Sequence, residues 1–566
     1  MTVLPAPGIL PAFLRIVKAI GAPDPEDVLF EKPRLPEHGD LTTNIALTLA
    51  KTLKRKPREI AEEIVERLKS EPEIETGVSR IEVAGPGFIN VFLAAEGYIA
   101  GLKTILDEGE KFGRSHAGEG KKTQVEFVSA NPTGPLTVGH GRGAVYGDTI
   151  SRLLEWTGHD VTREYYFNNA GRQMRILGDS VRLRYLALLG DKTLFPEDYY
   201  QGEYIREIAQ HLVDRYGDSL RGEAAEGKFK EQAEAEIFDD IKKTLRRLGI
   251  EFAVFYNENS LYETGKVDEV IAELKKRGFA YDKDGAVWFT AQKFGADQDR
   301  VIVKSSGEPT YRLPDIAYHR EKFRRGFDLV VDVFGADHHA TYPDVLAGLK
   351  ALGHDVEKVK VLIHQFVTIV QDGEIVKMST RRANFITLDE LIDEAGADAV
   401  RYFFIMRSIG SHLNFDLGLA KKQSEENPVY YVQYAHARIA SILRFAVDSA
   451  GDLPEEISAV ARTLIEEAST SSIPFNLLTS PEEIDLVKKL TEFPRVVASC
   501  ANYFEPHRLC EYLKETAEAF HHFYHIHRVV TEDVELSKAR LGLCAATKQV
   551  LANGFAILGI SAPERM

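Results

Sequence analysis

The sequence predicts a multidomain α/β protein: a doubly wound parallel-sheet core, a small α/β domain before it and an all-helical bundle after it. Three observations carry this. TQVEFVSANPTGPLTVGHGRGAVYGDTISRLLEWTG, followed by DVTREYYFN (Asp160–Asn168), reads as strand, Gly/Pro-rich loop, helix and strand. That succession is how a parallel sheet with crossover helices begins. Apolar strands return as RVIVKSS, FDLVVDVFG and KVLIHQFVTIV, and after residue 410 the pattern is helical to the end. A length of 566 residues leaves room for more than one hydrophobic core.

In chain order, residues 1–112 read as the small α/β domain. Ile45, Leu49 and Leu53 recur at helical spacing, and Ile60, Ile64 and Leu68 repeat it after Pro57. Between them KTLKRKPR, Lys51–Arg58, holds five cations in eight residues. By itself such a run reads first as a solvated helix end. IEVAGPGFINVFL, Ile81–Leu93, reads as two strands around a Gly-Pro-Gly turn. The polar, glycine-rich stretch GEKFGRSHAGEGKK marks the boundary to the core, residues 113–410. Residues 170–290 are charged and read as a mostly helical insertion in that core. Residues 411–566 make the helical bundle.

Composition narrows the function classes. Hydrophobic residues are 44% and charged residues 28%, as in an ordinary globular protein. Seventy basic and 86 acidic side chains give a formal net charge of −16. Such a chain resists nonspecific adhesion to polyanions, yet a local basic surface is enough for nucleic acid. The three cysteines, Cys500, Cys510 and Cys544, form no C-x-x-C pair, so no zinc site or disulfide framework is expected. Their scarcity fits a reducing cytoplasm. The N-terminal stretch reads as an amphipathic helix and not as a signal peptide. No uninterrupted apolar run of about 18 residues predicts a membrane span.

Three loops carry the chemistry. PLTVGHGRG, Pro135–Gly143, ends a strand and opens a helix, which is an anion site by geometry: backbone N–H groups and the helix dipole both favour negative charge. Gly139, Gly141 and Gly143 are expected to let a phosphate or adenine approach the main chain. His140 donates a hydrogen bond, or carries charge, beside a developing phosphate charge. VKMST, Val376–Thr380, follows a strand and a QDGE turn; Lys377, with Arg381 and Arg382 just after it, is the kind of mobile cation that closes over a triphosphate. FGADHH, Phe334–His339, lies at the carboxyl end of a strand, where doubly wound sheets bind ligands, and Asp337 there is placed to accept from ribose hydroxyls.

These loops, in this order, resemble the Rossmann-like core of class I aminoacyl-tRNA synthetases. VEFVSANPTGPLTVGHGRGAVYGD, YRLPDIAYH, FGADHH, VKMSTRRANFITLDELIDEAGADAVRYFFI, SEENPVYYVQYAHARI and SAPERM narrow the resemblance to the bacterial arginyl-tRNA synthetase family, and it runs end to end. The resemblance implies ATP, taken as its Mg2+ complex, L-arginine and tRNA(Arg) as substrates, with adenylate formation requiring bound tRNA. It implies ATP binding by Gly139, His140, Gly141, Gly335, Asp337, Lys377, Met378 and Ser379. It implies an arginine site of Glu126, Ser129, Asn131, Tyr311, Asp315 and His338. It makes the C-terminal helices an anticodon-binding bundle, where Arg438 and Arg444 accompany Tyr430, Tyr431 and Tyr434. It makes the N-terminal domain a partner of the tRNA D-loop side through Phe88 and Asn90. A cytoplasmic monomer with no bound metal, no membrane and no obligate protein partner is implied.

Two positions depart from the family pattern. Thr137 replaces the first histidine of H-x-G-H, keeping a hydroxyl, and Thr380 replaces the final lysine of K-M-S-K. Arg381 or Arg382 is adjacent and able to supply the missing charge. The two losses motivate an alternative, a catalytically silent tRNA-binding paralogue. A small-molecule nucleotidyl transferase on the same core is a third reading, and both flanking domains speak against it.

Overall fold

A computed structural model describes residues 9–21, 30–31, 33, 35–371, 373–375, 386–449, 453–466 and 473–566. Its contacts divide the chain into two compact units, one of Met1–Ala117, Trp156–Gly158 and Gln423–Met566, the other of Gly118–Glu155 and His159–Lys422.

In the first unit, β1 (Leu41–Thr43), β2 (Val78–Ala84) and β3 (Phe88–Leu93) form an antiparallel sheet of order β1-β3-β2. The helices Ile45–Leu53 and Pro57–Leu68 cover it, with Ile45, Leu49, Ile60, Ile64 and Leu68 buried. Pro57 starts the second helix because its missing N–H is not needed there. Three cations of the basic run pair with acidic residues of the second helix: Arg55 with Glu63 at 2.6 Å, Arg58 with Glu62 at 3.0 Å and Lys56 with Glu59 at 3.6 Å. Helix Ala95–Glu108 packs on helices Pro481–Thr491 and Val534–Leu558, so the N-terminal segment and the C-terminal helices share one unit. Val534–Leu558 is long and apolar enough to cross a membrane, but 78% of its most apolar stretch is buried among its neighbours. All three cysteines are buried in this unit.

The second unit is built on five parallel strands, β4 (Lys122–Glu126), β5 (Asp160–Phe167), β6 (Val254–Asn257), β10 (Leu329–Gly335) and β11 (Val359–His364), in the order β11-β10-β4-β5-β6. Val125, Val330, Val331 and Val333 are buried, as expected of strands covered on both faces. The stretch expected as a helical insertion contributes more than helices. It supplies β6 to this sheet, and β7 (Ala280–Lys283) and β8 (Ala286–Phe289) to an antiparallel sheet completed by β9 (Arg300–Val303). RVIVKSS therefore belongs to a side sheet and not to the core. A third sheet joins β12 (Val367–Gln371), β13 (Glu374–Ile375) and β14 (Leu413–Asp416).

Candidate active site

Beyond Glu126 the chain makes a strained turn. Val128 and Ser129 have φ of 69° and 43°, and a β-branched residue in that region costs about 1–3 kcal/mol that packing must offset. The turn delivers Ser129 Oγ to Glu126 Oε1 at 2.9 Å, and the Tyr166 amide donates to the same Oγ at 3.2 Å. Asn131 Oδ1 accepts from the Asn168 amide at 2.9 Å, and Asn131 Nδ2 donates to Gln173 at 3.0 Å. Both ends of Asn131 thus tie the loop to the segment after β5.

Glu126 is buried, and its Oε2 accepts from Lys322 Nζ at 2.6 Å. Lys322 also donates to Asp332 Oδ1 at 2.6 Å, and His319 Nε2 lies 2.9 Å from Asp332 Oδ2. Burial opposes the Lys322 charge, but Asp332 and Glu126 outweigh it and raise its pKa. Glu126, His319 and Asp332 hold ligand atoms within 4.8 Å of one another, the one such group among the described residues. The Lys322 ammonium already fills a cation's place there.

Asp315 stands in the first turn of helix Arg312–Arg324. Its carboxyl is pushed up to about 7, by burial first and by Glu258 and Glu126, against His319 and Lys322. Glu258 accepts from the Tyr166 hydroxyl and from Asn168 Nδ2, both at 2.8 Å, and burial raises its pKa too. The Tyr166 hydroxyl feels Asp315, Glu258 and Glu126 together. Glu258 therefore touches this phenol and Asp315 and Glu126 add negative potential to it, while Lys322 is committed to Glu126 and Asp332. The uncompensated charge suits a cation that accepts several hydrogen-bond partners at once, such as a planar guanidinium. Glu258 was not expected from the sequence. It sits just past the short strand β6, 92 residues from Tyr166, and no local motif marks it. Tyr311, expected as the partner of Asp315, is instead 87% exposed. His338 is also exposed; its ring stacks on Phe334 at 4.8 Å and lies 3.7 Å from Asp337.

At the glycine-rich loop the Thr137 amide donates to His140 Nδ1 at 3.1 Å, and Thr137 Oγ1 lies 3.1 Å from the same atom. An amide donor makes Nδ1 an acceptor, so the proton of the neutral ring sits on Nε2. Burial lowers the His140 pKa against the pull of Asp337. Two of the three glycines differ from expectation. A Cβ on Gly139 would meet nothing nearer than Thr137 Oγ1 at 3.7 Å, so its surroundings are open. One on Gly141 would lie 2.6 Å from Leu388 Cδ1, and one on Gly143 would lie 3.0 Å from His364 Nε2. The space beside Gly141 is therefore filled by Leu388 and that beside Gly143 by His364. A Cβ on Gly335 would lie 2.6 Å from Asp337 Oδ1, so that glycine lets Asp337 fold back over the strand end.

Lys377, Met378, Ser379, Thr380, Arg381 and Arg382 lie outside the described residues. The segment that follows them is joined to the glycine-rich loop. Leu388 N–H donates to Leu136 O at 2.8 Å, Val138 N–H to Ile386 O at 3.3 Å, and Thr137 bridges Thr387.

In the first unit Phe88 is 38% exposed, whereas Asn90 is buried and accepts from Thr42 Oγ1 at 2.8 Å. Arg438 donates to the Tyr524 hydroxyl at 3.3 Å. Arg444, expected to meet RNA, donates to the Glu564 carbonyl at 2.8 Å and its carboxylate at 3.3 Å, which commits it to the C-terminal tail. Tyr430 and Tyr434 stack at 6.1 Å, and Tyr434 stacks on His521 at 5.9 Å.

Three family models match in succession: the arginyl tRNA synthetase N-terminal domain over residues 11–93, the class I (R) tRNA synthetase catalytic domain over 101–405, and the DALR anticodon binding domain over 432–566. An arginine–tRNA ligase of Desulfotalea psychrophila is 54% identical over 535 residues, 94% of each chain. One of Salinibacter ruber is 50% identical over 569 residues, 98% of each. The solved arginyl-tRNA synthetase of Thermus thermophilus shares the fold, with a TM-score of 0.72 at 21% identity over 99% of this chain and all of that one.

Proposed function

The chain belongs to the arginyl-tRNA synthetase family, and from that premise we propose that it joins L-arginine to tRNA(Arg) in two steps. The arginine carboxylate attacks the α-phosphorus of ATP, forming arginyl-adenylate and releasing pyrophosphate. A terminal ribose hydroxyl of the tRNA then attacks the acyl carbon and AMP leaves. ATP enters as its Mg2+ complex.

The observation that carries this reading is the buried carboxyl cluster beside Tyr166: Glu258 accepts from its hydroxyl at 2.8 Å, Glu126 ends β4 on the neighbouring strand, and Asp315 acts electrostatically on the same hydroxyl. Asp315 and Glu258 take the guanidinium, and Glu126 adds its field while Lys322 fixes its position. An uncharged analogue leaves these groups unpaired, so selection for arginine is steep without editing. Ser129, Asn131 and His338 flank the amino-acid end; Tyr311 has to leave its exposed position to reach the guanidinium. At the phosphates, His140 donates from Nε2 to the charge that develops at the α-phosphate, with the N-terminus of helix Val138–Trp156 beside it. Lys377 supplies positive charge to the triphosphate, with Arg381 or Arg382 standing in for the lysine that Thr380 replaces. Gly139, Gly335 and Asp337 border the nucleoside. Phe88 meets the D-loop side of the tRNA and Arg438 the anticodon side. We read the protein as a cytoplasmic monomer.

Arginine-dependent ATP–pyrophosphate exchange, with and without tRNA(Arg), tests this. Exchange that appears only with tRNA is expected. No exchange in either case, with tRNA still bound, would return the silent paralogue.

A further inference from the structure

Helix Arg312–Arg324 carries Asp315 in its first turn. Helix Tyr342–Ala351 begins just after the FGADHH loop and carries Asp344 in its own first turn. Asp344 is buried, and its Oδ2 accepts from Arg312 Nε at 2.6 Å and from Arg300 Nε at 3.0 Å. Two guanidinium groups thus share one oxygen. Arg300 starts β9 and also donates to Asp297 at 2.5 Å, so it ties Asp344 to the side sheet. Arg312 ties it to the helix of Asp315.

From this pair a path of hydrogen bonds runs toward each end of the proposed arginine site. On one side the Asp344 amide donates to Thr341 O at 3.1 Å, and the Thr341 amide and hydroxyl donate to His338 O at 3.0 and 3.1 Å. On the other side Arg312 and Asp315 share the first turn of one helix. Thr310 anchors that turn: its amide donates to Ile302 O at 2.9 Å, and its carbonyl accepts from the Leu313 amide at 3.0 Å. Asp315 is the proposed guanidinium partner and His338 flanks the amino-acid end. The Arg312–Asp344 pair is thus a polar joint between residues for the two ends of one ligand. One turn further along both helices, Gly348 lets them approach: a Cβ there would lie 2.4 Å from Ile316 Cδ1. That apolar contact holds the helices together without fixing how far one slides along the other, because burial is non-directional. A charge-assisted N–H···O bond is directional and fixes it.

We propose that Asp344 is a positioning residue that sets the length of amino acid the site accepts. It acts through Arg312, holding Asp315 at a fixed separation from His338, so that a side chain of arginine's length brings its carboxylate to the α-phosphate. The inference rests on the reading of Asp315 as a guanidinium partner. A misplacement of about 1 Å between reacting groups costs on the order of 10²-fold in rate. One methylene more or less in the substrate is a displacement of that kind, so a joint that holds the separation also selects for length.

The test compares L-arginine with L-homoarginine, one methylene longer, in pyrophosphate exchange by the full chain with tRNA(Arg). In Asp344→Asn and in Arg312→Gln the kcat for arginine falls about 10- to 100-fold with the KM for ATP unchanged. Homoarginine loses less, so the preference for arginine in kcat/KM drops about tenfold. The double variant loses no more than the worse single one, because the two residues act as a unit. Arg300→Gln removes the other arm of the same carboxylate, toward the side sheet, and keeps the parent's preference. Arg312→Gln carries the comparison if Asp344→Asn does not fold. A preference for arginine that stays at the parent value in both variants overturns the proposal, and so does one that Arg300→Gln lowers as far. Asp315→Asn run in parallel separates the two readings. If it raises the KM for arginine while Arg312→Gln leaves the preference intact, only the Asp344 inference falls. If it leaves the KM for arginine unchanged, the arginine-site reading falls with it.

Discussion

The Thr137 amide donates to His140 Nδ1 at 3.1 Å, and the Thr137 hydroxyl lies equally close to that atom. Position 137 therefore acts on His140 through its backbone as well as its side chain. The amide alone fixes the tautomer that puts a donor on Nε2. A residue here is replaceable in a way that His140 is not, which gives a physical reason why threonine at this place leaves the site workable. Thr137→Ala keeps the amide and should lower kcat in pyrophosphate exchange by less than about tenfold. His140→Ala removes the donor to the developing charge and should lower it about 10²- to 10³-fold. Equal losses in the two variants would mean that the hydroxyl, not the amide, organises the ring.

With Asp315 proposed as a guanidinium partner, arginine binding should depend on pH. Its carboxyl is pushed up to about 7 in the ligand-free pocket. A guanidinium pairs with the carboxylate, so below that pH a proton has to leave before arginine binds. The KM for arginine should be flat above pH 7 and climb as pH falls, approaching tenfold per unit. Asp315→Asn should raise KM at every pH and remove the slope. A wild-type KM independent of pH between 5.5 and 8 would place the proton elsewhere in the carboxylate cluster.

The parallel core is legible in the sequence because β10 and β11 read as apolar runs, LVVDVFG and VKVLIH, and β4 and β5 flank the glycine-rich loop and the helix it opens. Strand β6 is not legible: it has four residues, all half-buried, inside a charged segment. Asp315, Glu126 and His140 are marked by their motifs. Glu258 is marked by nothing local, since its meaning comes from Tyr166 and Asn168 on another strand. The glycines mislead for the same reason. Sequence shows that Gly141 and Gly143 lack a side chain, but only the positions of Leu388 and His364 show what fills the space.

Lys322 is the counter-charge beneath the pocket. Its ammonium, fully buried, bridges Glu126 and Asp332 at 2.6 Å each. Lys322→Met leaves two buried carboxylates uncompensated and should cost about 3–5 kcal/mol, read as a lower urea midpoint for the unit that contains it. Adding Asp332→Asn to that variant removes one of the charges and should recover part of the loss. A double variant no more stable than Lys322→Met would show that Glu126 alone dominates the penalty.

Phe88 and Asn90 should separate recognition from stability on one strand. Phe88 is 38% exposed at the start of β3, open to stack on a base, while Asn90 is buried and bonded to Thr42 at 2.8 Å. Phe88→Ala should raise the KM for tRNA by roughly 5- to 100-fold, the range of one aromatic–base stack, with the KM values for ATP and arginine and the melting midpoint unchanged. Asn90→Ala orphans the Thr42 hydroxyl and should cost about 1 kcal/mol of stability, moving the melting midpoint more than tRNA affinity. Measured side by side, KM for tRNA and thermal midpoint should respond to different variants. If Asn90→Ala instead raised the tRNA KM as strongly as Phe88→Ala at an unchanged midpoint, the Thr42 bond would have to open for RNA, and Asn90 would join the interface after all.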